Sequence, residues 1–108
     1  MAHRGASKVE TENTRVAFER ALEMGADAVE LDVRRCGSGE LIVHHDAKLS
    51  DGRAIIKVDK SDLPSYIPTL AEALDACGSM WVNVEIKNEA KEPDFDPTEQ
   101  ITRDVVEL

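Results

Sequence analysis

Aromatic residues are scarce in this chain, 4% of 108, and cysteine occurs only twice. With so few large side chains, a hydrophobic content of 42% suffices for one small core and a single soluble unit. Two cysteines cannot lay down a disulfide framework, and Cys36 and Cys77 show neither a Cys-x-x-Cys nor a Cys/His ligand spacing. They read as free thiols in a reducing compartment. No apolar run approaches the ~18 residues of a membrane span. His3 stands too near the start to leave room for a signal peptide, so a cytoplasmic location is the expectation if Met1 is the true start. Positive charge is also in deficit: 13 Lys and Arg against 22 Asp and Glu give a formal charge of -9. That balance argues against nucleic acid or an anionic membrane as a partner chosen by bulk electrostatics. An anionic substrate would need a local cation.

What the chain does have is a regular alternation of short apolar runs and amphipathic segments, with no internal repeat or low-complexity tract. Residues 1–5 suit the end of a strand. Residues 14–24 carry Ala17, Phe18, Ala21 and Leu22 on one helical stripe, opened by Asn13 or Thr14 and closed by Gly25. Residues 27–33 read as a strand, and 34–46 as a ribbon folding back at Gly37-Ser38-Gly39. After an irregular stretch, Thr69-x-x-Glu72 is a capping-box pattern with Leu70, Ala73, Leu74 and Cys77 behind it and Gly78 at the end. Residues 80–86 form the next strand. Asp96-Pro97-Thr98-Glu99 then predicts a helix start, with the helix running to Leu108. The order β-α-β-α-β-α predicts a parallel sheet with right-handed crossovers, whose ligand lies at the carboxyl ends of the strands.

Two of these strands carry charge where a buried strand should be apolar. Side chains alternate across a strand, so Val29, Leu31 and Val33 share one face while Glu30 and Asp32 share the other. The same parity sets Val82, Val84 and Ile86 against Asn83, Glu85 and Lys87. Ionised carboxylates are not buried without partners. Three of them converging between parallel strands call for a cation, and an oxygen-only donor set suits Mg²⁺ or Ca²⁺ rather than zinc. Lys87 beside them is costly unless it faces an anion. Histidine adds proton transfer near neutral pH. His3 ends the first strand, and the ribbon returns His44 and His45 toward Asp32, with nothing in the spacing to choose between the two. Arg4, Glu12 and Asn13 have local explanations as a surface charge, a residue suited to the positive end of a helix, and a helix cap.

Taken together, several stretches resemble the glycerophosphodiester phosphodiesterase family. They are His3-Arg4-Gly5-Ala6-Ser7, Glu12-Asn13-Thr14, Ala17-Phe18, Gly25-Ala26-Asp27, Glu30-Leu31-Asp32-Val33, His45-Asp46, Ile67-Pro68-Thr69-Leu70 with Glu72, and Glu85-Ile86-Lys87. The resemblance spans residues 2–88 and departs at Thr11, where the family usually has proline. It implies a TIM-barrel hydrolase that cleaves small-molecule glycerophosphodiesters to sn-glycerol 3-phosphate and an alcohol with a divalent metal. On that resemblance Glu30, Asp32 and Glu85 are the metal ligands, and His3 and His45 the acid-base pair, with His44 left as a neighbour. Arg4 and Lys87 bind the phosphate, Glu12 and Asn13 support the first-strand loop and the metal shell, and Asp46 supports His45 as the second member of the family's His-Asp pair. Residues 1–108 would then be a single partial domain, about three of the eight βα units of a barrel, with a ribbon after the second strand and the N-terminal part of a longer enzyme. Open sheet edges in such a piece predict self-association. Two other readings follow: a non-catalytic fragment that binds metal or phosphate or completes a barrel with another chain, and an enzyme of the phospholipase C-like or sphingomyelinase D-like kind.

Overall fold

The computed structural model describes residues 13–108 together with the backbone of Ala2 and His3. In chain order the elements are β1 (Ala2–His3), α1 (Arg15–Glu23), β2 (Ala28–Arg35), β3 (Leu41–Val43), α2 (Leu70–Cys77), β4 (Trp81–Ile86) and α3 (Gln100–Val106), with two short 3-10 turns at Ile55–Lys57 and Lys60–Asp62. Strand β2 is the hub of the sheet. Along one edge β4 runs parallel to it, from Ala28 opposite Trp81 to Val33 opposite Ile86. Along the other edge β1 lies parallel beside its first half, His3 opposite Glu30, and β3 returns antiparallel beside its last half, Val33 opposite Val43.

Local chemistry explains the ends of the elements. Thr14 caps α1, its hydroxyl accepting from the Ala17 N–H at 3.1 Å, and Gly25 leaves the helix at φ 80°. At α2 the expected capping box is complete: the Thr69 N–H donates to Glu72 at 2.9 Å and the Glu72 N–H donates to the Thr69 hydroxyl at 3.1 Å. The ribbon turns where glycine was expected to turn it. Gly39 sits at φ 97° and donates to the Cys36 carbonyl.

The third helix departs from expectation. It begins at Gln100 rather than at Pro97, and ends at Val106. The Asp96 carboxylate accepts from the N–H groups of Thr98 and Ile101 at 3.0 and 3.1 Å, and the Asn88 amide grips the Asp96 backbone from both sides. That web folds residues 96–99 into a turn with Glu99 left-handed at φ 56°, and the helix starts only after it.

The alternation read from the sequence divides β2 cleanly. Val29, Leu31 and Val33 are fully buried against Phe18 and Ala21 of α1 and Leu70, Ala73 and Cys77 of α2. Each large side chain so buried contributes roughly 1.5–3 kcal/mol. A second cluster, Cys36, Ile42, Leu49, Ile55, Val58, Leu63 and Ile67, seats the irregular stretch on the ribbon. Both cysteines are free and buried, and burial pushes the Cys77 thiol up to about 11. Among the described residues no helix is long and apolar enough to cross a membrane. The opposite face of β2 carries Glu30, Asp32 and Arg34, beside Asn83 and Glu85 of β4.

Candidate active site

Asp32 is fully buried on this charged face. A carboxylate there needs donors, and Asn13 supplies one: its side-chain amide donates to Oδ2 at 2.9 Å, while its own oxygen lies 3.5 Å from the Asp32 N–H. Asn13 reaches Asp32 because its backbone is left-handed, φ 55°, a conformation asparagine tolerates better than most residues. In register with Asp32 on the neighbouring strand stands Glu85. The Lys87 ammonium donates to Glu85 at 2.9 Å and lies 3.8 Å from Asp32. Lys87, first, and then hydrogen bonding with Asp32 hold the Glu85 carboxyl below its usual range.

Glu30 shares the face of Asp32, but its partner across the sheet is Asn83, so it stands two residues back from Glu85 in register, roughly 7 Å along the strand. Among the described residues no three of His, Cys, Asp and Glu approach closely enough to form a cage for a cation. Among the described residues, the positive charge beside Asp32 and Glu85 is the Lys87 ammonium. The donor set on this face, carboxylate oxygens with no sulfur, nonetheless has the chemistry of a site for a hard divalent ion.

The ribbon delivers the histidines. The His44 N–H donates to the Asp32 carbonyl at 3.0 Å, which sets the turn after β3 beside the end of β2. His44 directs its Nδ1 to the Asp46 carbonyl at 2.8 Å, and His45 directs Nδ1 to the Asp46 carboxylate at 2.7 Å. That bond to His45 lowers the pKa of Asp46. His45 and Lys87 face a common cavity of about 540 Å³, walled further by Arg34, Asp46, Lys48 and Glu92. Of the remaining expected site residues, His3 is placed by its backbone in β1, opposite Glu30, and its side chain lies outside the described residues. Arg4 and Glu12 also lie outside them.

One wall residue escaped the sequence reading. Arg34 is 1% exposed and donates to the His45 carbonyl, to Asp94 and to Glu92. Its parity with Glu30 and Asp32 was the available signal, since a third charged residue on one strand face continues the same inward row.

A sheet whose strands β1, β2 and β4 run parallel, with its apolar side under helices and its charged side gathered at one rim, is a segment of a TIM barrel. It superposes on the glycerophosphodiester phosphodiesterase of Thermotoga maritima with a TM-score of 0.77 at 32% identity, over 88% of this chain and 50% of that one. It also superposes on an Oleispira antarctica phosphodiesterase in complex with the product sn-glycerol-3-phosphate, with a TM-score of 0.76 at 33% identity, over 80% of this chain and 43% of that one. Residues 3–108 match the glycerophosphoryl diester phosphodiesterase family, and the chain belongs to it. A curated glycerophosphodiester phosphodiesterase from Caldanaerobacter subterraneus is 38% identical over 82% of this chain and 44% of its own length. One from Bacillus altitudinis is 35% identical over 81% and 44%. The chain thus spans less than half the length of these curated relatives.

Proposed function

We propose that this segment supplies the proton-transfer and phosphate-binding side of an enzyme that hydrolyses glycerophosphodiesters to sn-glycerol 3-phosphate and an alcohol. The observation that carries the reading is the meeting of His45 and Lys87 on one cavity, beside the Asp32–Glu85 pair at the carboxyl ends of two parallel strands. Lys87, with Arg4, binds the phosphate. Glu30, Asp32 and Glu85 are the residues that would hold a divalent ion, Mg²⁺ or Ca²⁺, which would supply charge neutralisation at the phosphoryl oxygens. Asn13 orients Asp32 for that task, and Glu12 supports the loop beside it. His3 and His45 divide the proton transfers, one taking a proton from the attacking water and the other giving one to the leaving alkoxide. With Nδ1–H of His45 donated to Asp46, the other ring nitrogen is the one able to exchange a proton with a ligand. The product held by the Oleispira antarctica relative supports a substrate of this class.

The test is hydrolysis of glycerophosphocholine by the intact enzyme carrying this segment, with Mg²⁺ or Ca²⁺ and with a chelator. Chelation is expected to abolish turnover, and His45→Asn to slow it roughly 10²-fold or more while leaving metal binding largely intact. A His45→Asn enzyme working at the parental rate would remove His45 from the chemistry. Turnover indifferent to chelation would remove the metal.

A further inference from the structure

The geometry points to Arg34 as a positioning residue for His45, an inference that rests on the proton-transfer reading of His45 above. A guanidinium 1% exposed needs its charge and its donors answered, and here they are answered from two directions. Nε and Nη2 both donate to the carbonyl oxygen of His45, at 3.0 and 2.8 Å. On the far side Nη1 donates to both carboxylate oxygens of Asp94, at 3.0 and 2.8 Å, and Nη2 donates to Glu92 at 3.1 Å. The Asp94 side chain is itself only 3% exposed.

One rigid, planar fork therefore joins three pieces of chain. It springs from β2, grips the main chain of His45, and is gripped by the segment that follows β4 and begins with Lys87. The grip falls on the peptide of His45 while Asp46 holds the ring, so backbone and imidazole are fixed separately. Arg34 and Lys87 line the same cavity, so the tie sets where the imidazole stands relative to the ammonium that would hold the phosphate. Lysine cannot substitute for it, because a point charge on a flexible stem cannot hold a carbonyl and a carboxylate in one plane. Arg34 moves no proton. It holds His45 where His45 can move one, and displacement of a reacting group by about 1 Å can lower a rate 10²-fold.

The test is a double-mutant cycle in the intact enzyme, measuring kcat and KM on glycerophosphocholine for Arg34→Gln, His45→Asn and the pair. Arg34→Gln is expected to lower kcat roughly tenfold or more with KM within about twofold, and Arg34→Lys to restore little of it. In the His45→Asn background Arg34→Gln should lower kcat no further, because its effect passes through a group already gone. Multiplicative losses, or parental kcat in Arg34→Gln, overturn the proposal. If Arg34→Gln shows no cooperative thermal transition, the cycle is run with Asp94→Asn, which keeps the arginine and loosens its far anchor, and the same criteria apply. If His45→Asn alone is fully active, the chemistry assigned to His45 fails. The order of residues 44–48 by ¹⁵N relaxation then judges the tie by itself: mobility raised by Arg34→Gln or Asp94→Asn supports it, and unchanged mobility overturns it.

Discussion

Asn13 joins a backbone requirement and a side-chain requirement at one residue, and two substitutions pull them apart. Its amide donates to a fully buried carboxylate at 2.9 Å, and its φ is 55°. Asn13→Gly keeps the left-handed backbone without a Cβ penalty but removes the donor to Asp32. A hydrogen bond to a charged group is worth roughly 1.5–3 kcal/mol, and the lower part of that range applies because Lys87 still lies near Asp32. Asn13→Ala loses the same donor and adds the cost of a β-carbon in the left-handed region, about 1–2 kcal/mol. The expected losses are therefore about 2 kcal/mol for Asn13→Gly and about 3 kcal/mol for Asn13→Ala. Urea denaturation at neutral pH measures both, the midpoint falling with an unchanged slope if only stability changes. Equal losses in the two variants would refute the backbone argument. A loss under about 0.5 kcal/mol in Asn13→Gly would refute the bond to Asp32 as a determinant of the fold.

Gly37 and Gly39 make a contrasting pair. A Cβ at Gly37 would sit 2.9 Å from the Val58 nitrogen, so Gly37→Ala should cost roughly 1–3 kcal/mol by crowding, whereas Gly39→Ala meets open space and should cost about 1–2 kcal/mol through its positive φ alone; thermal melts of each, with a Gly39→Asn control that recovers part of the second loss, check both. Glu72 and Asp46 have pKa values held below their ordinary ranges, chiefly by the Thr69 backbone N–H and by His45 respectively. Folded values below the unfolded ones mean that this stability is fully present above the unfolded pKa values and is lost as pH falls through the folded ones, so the urea midpoint should hold near neutrality and decline below about pH 4.5, less steeply in Glu72→Gln. A wild-type decline no steeper than that of Glu72→Gln would contradict the capping-box contribution. The 108-residue chain alone should associate, because β4 pairs with β2 along one edge and Trp81 is 81% exposed; sedimentation showing a monomer at every concentration would overturn this.

What the sequence made legible was what depends on local pattern. The parity of Val29, Leu31 and Val33 against Glu30 and Asp32, the Thr69–Glu72 box and the glycine turn all follow from residues within a few positions of each other. Register does not. Nothing in either strand says that Glu85 pairs with Asp32 and Asn83 with Glu30, and that offset is why two carboxylates meet while the third stands back. Arg34 was missed for a related reason. Its partners Glu92 and Asp94 lie 58 and 60 residues away, and from the sequence an arginine near the end of a strand is a solvated charge. At Asp96 the local pattern misled, because the side chain that would cap a helix at Pro97 is occupied by Thr98 and Ile101 in a turn.

Two backbone bonds at the end of β2 bear on how such a site can change over time. The His44 N–H hangs from the carbonyl of Asp32 and the Lys87 N–H from the carbonyl of Val33, successive peptide units of a single strand. Peptide geometry, which no substitution short of proline alters, thus sets the separation of the main chains that carry His45 and Lys87. In the enzyme proposed above, cavity-wall residues outside the tie of Arg34, His45, Asp46, Glu92 and Asp94, such as Lys48 and Glu89, can be exchanged or recharged to suit another alcohol while the spacing between the His45 and Lys87 main chains is retained. What the main chain holds constant is a distance, and the cavity wall at Lys48 and Glu89 is where the proposed enzyme can try new specificities around it.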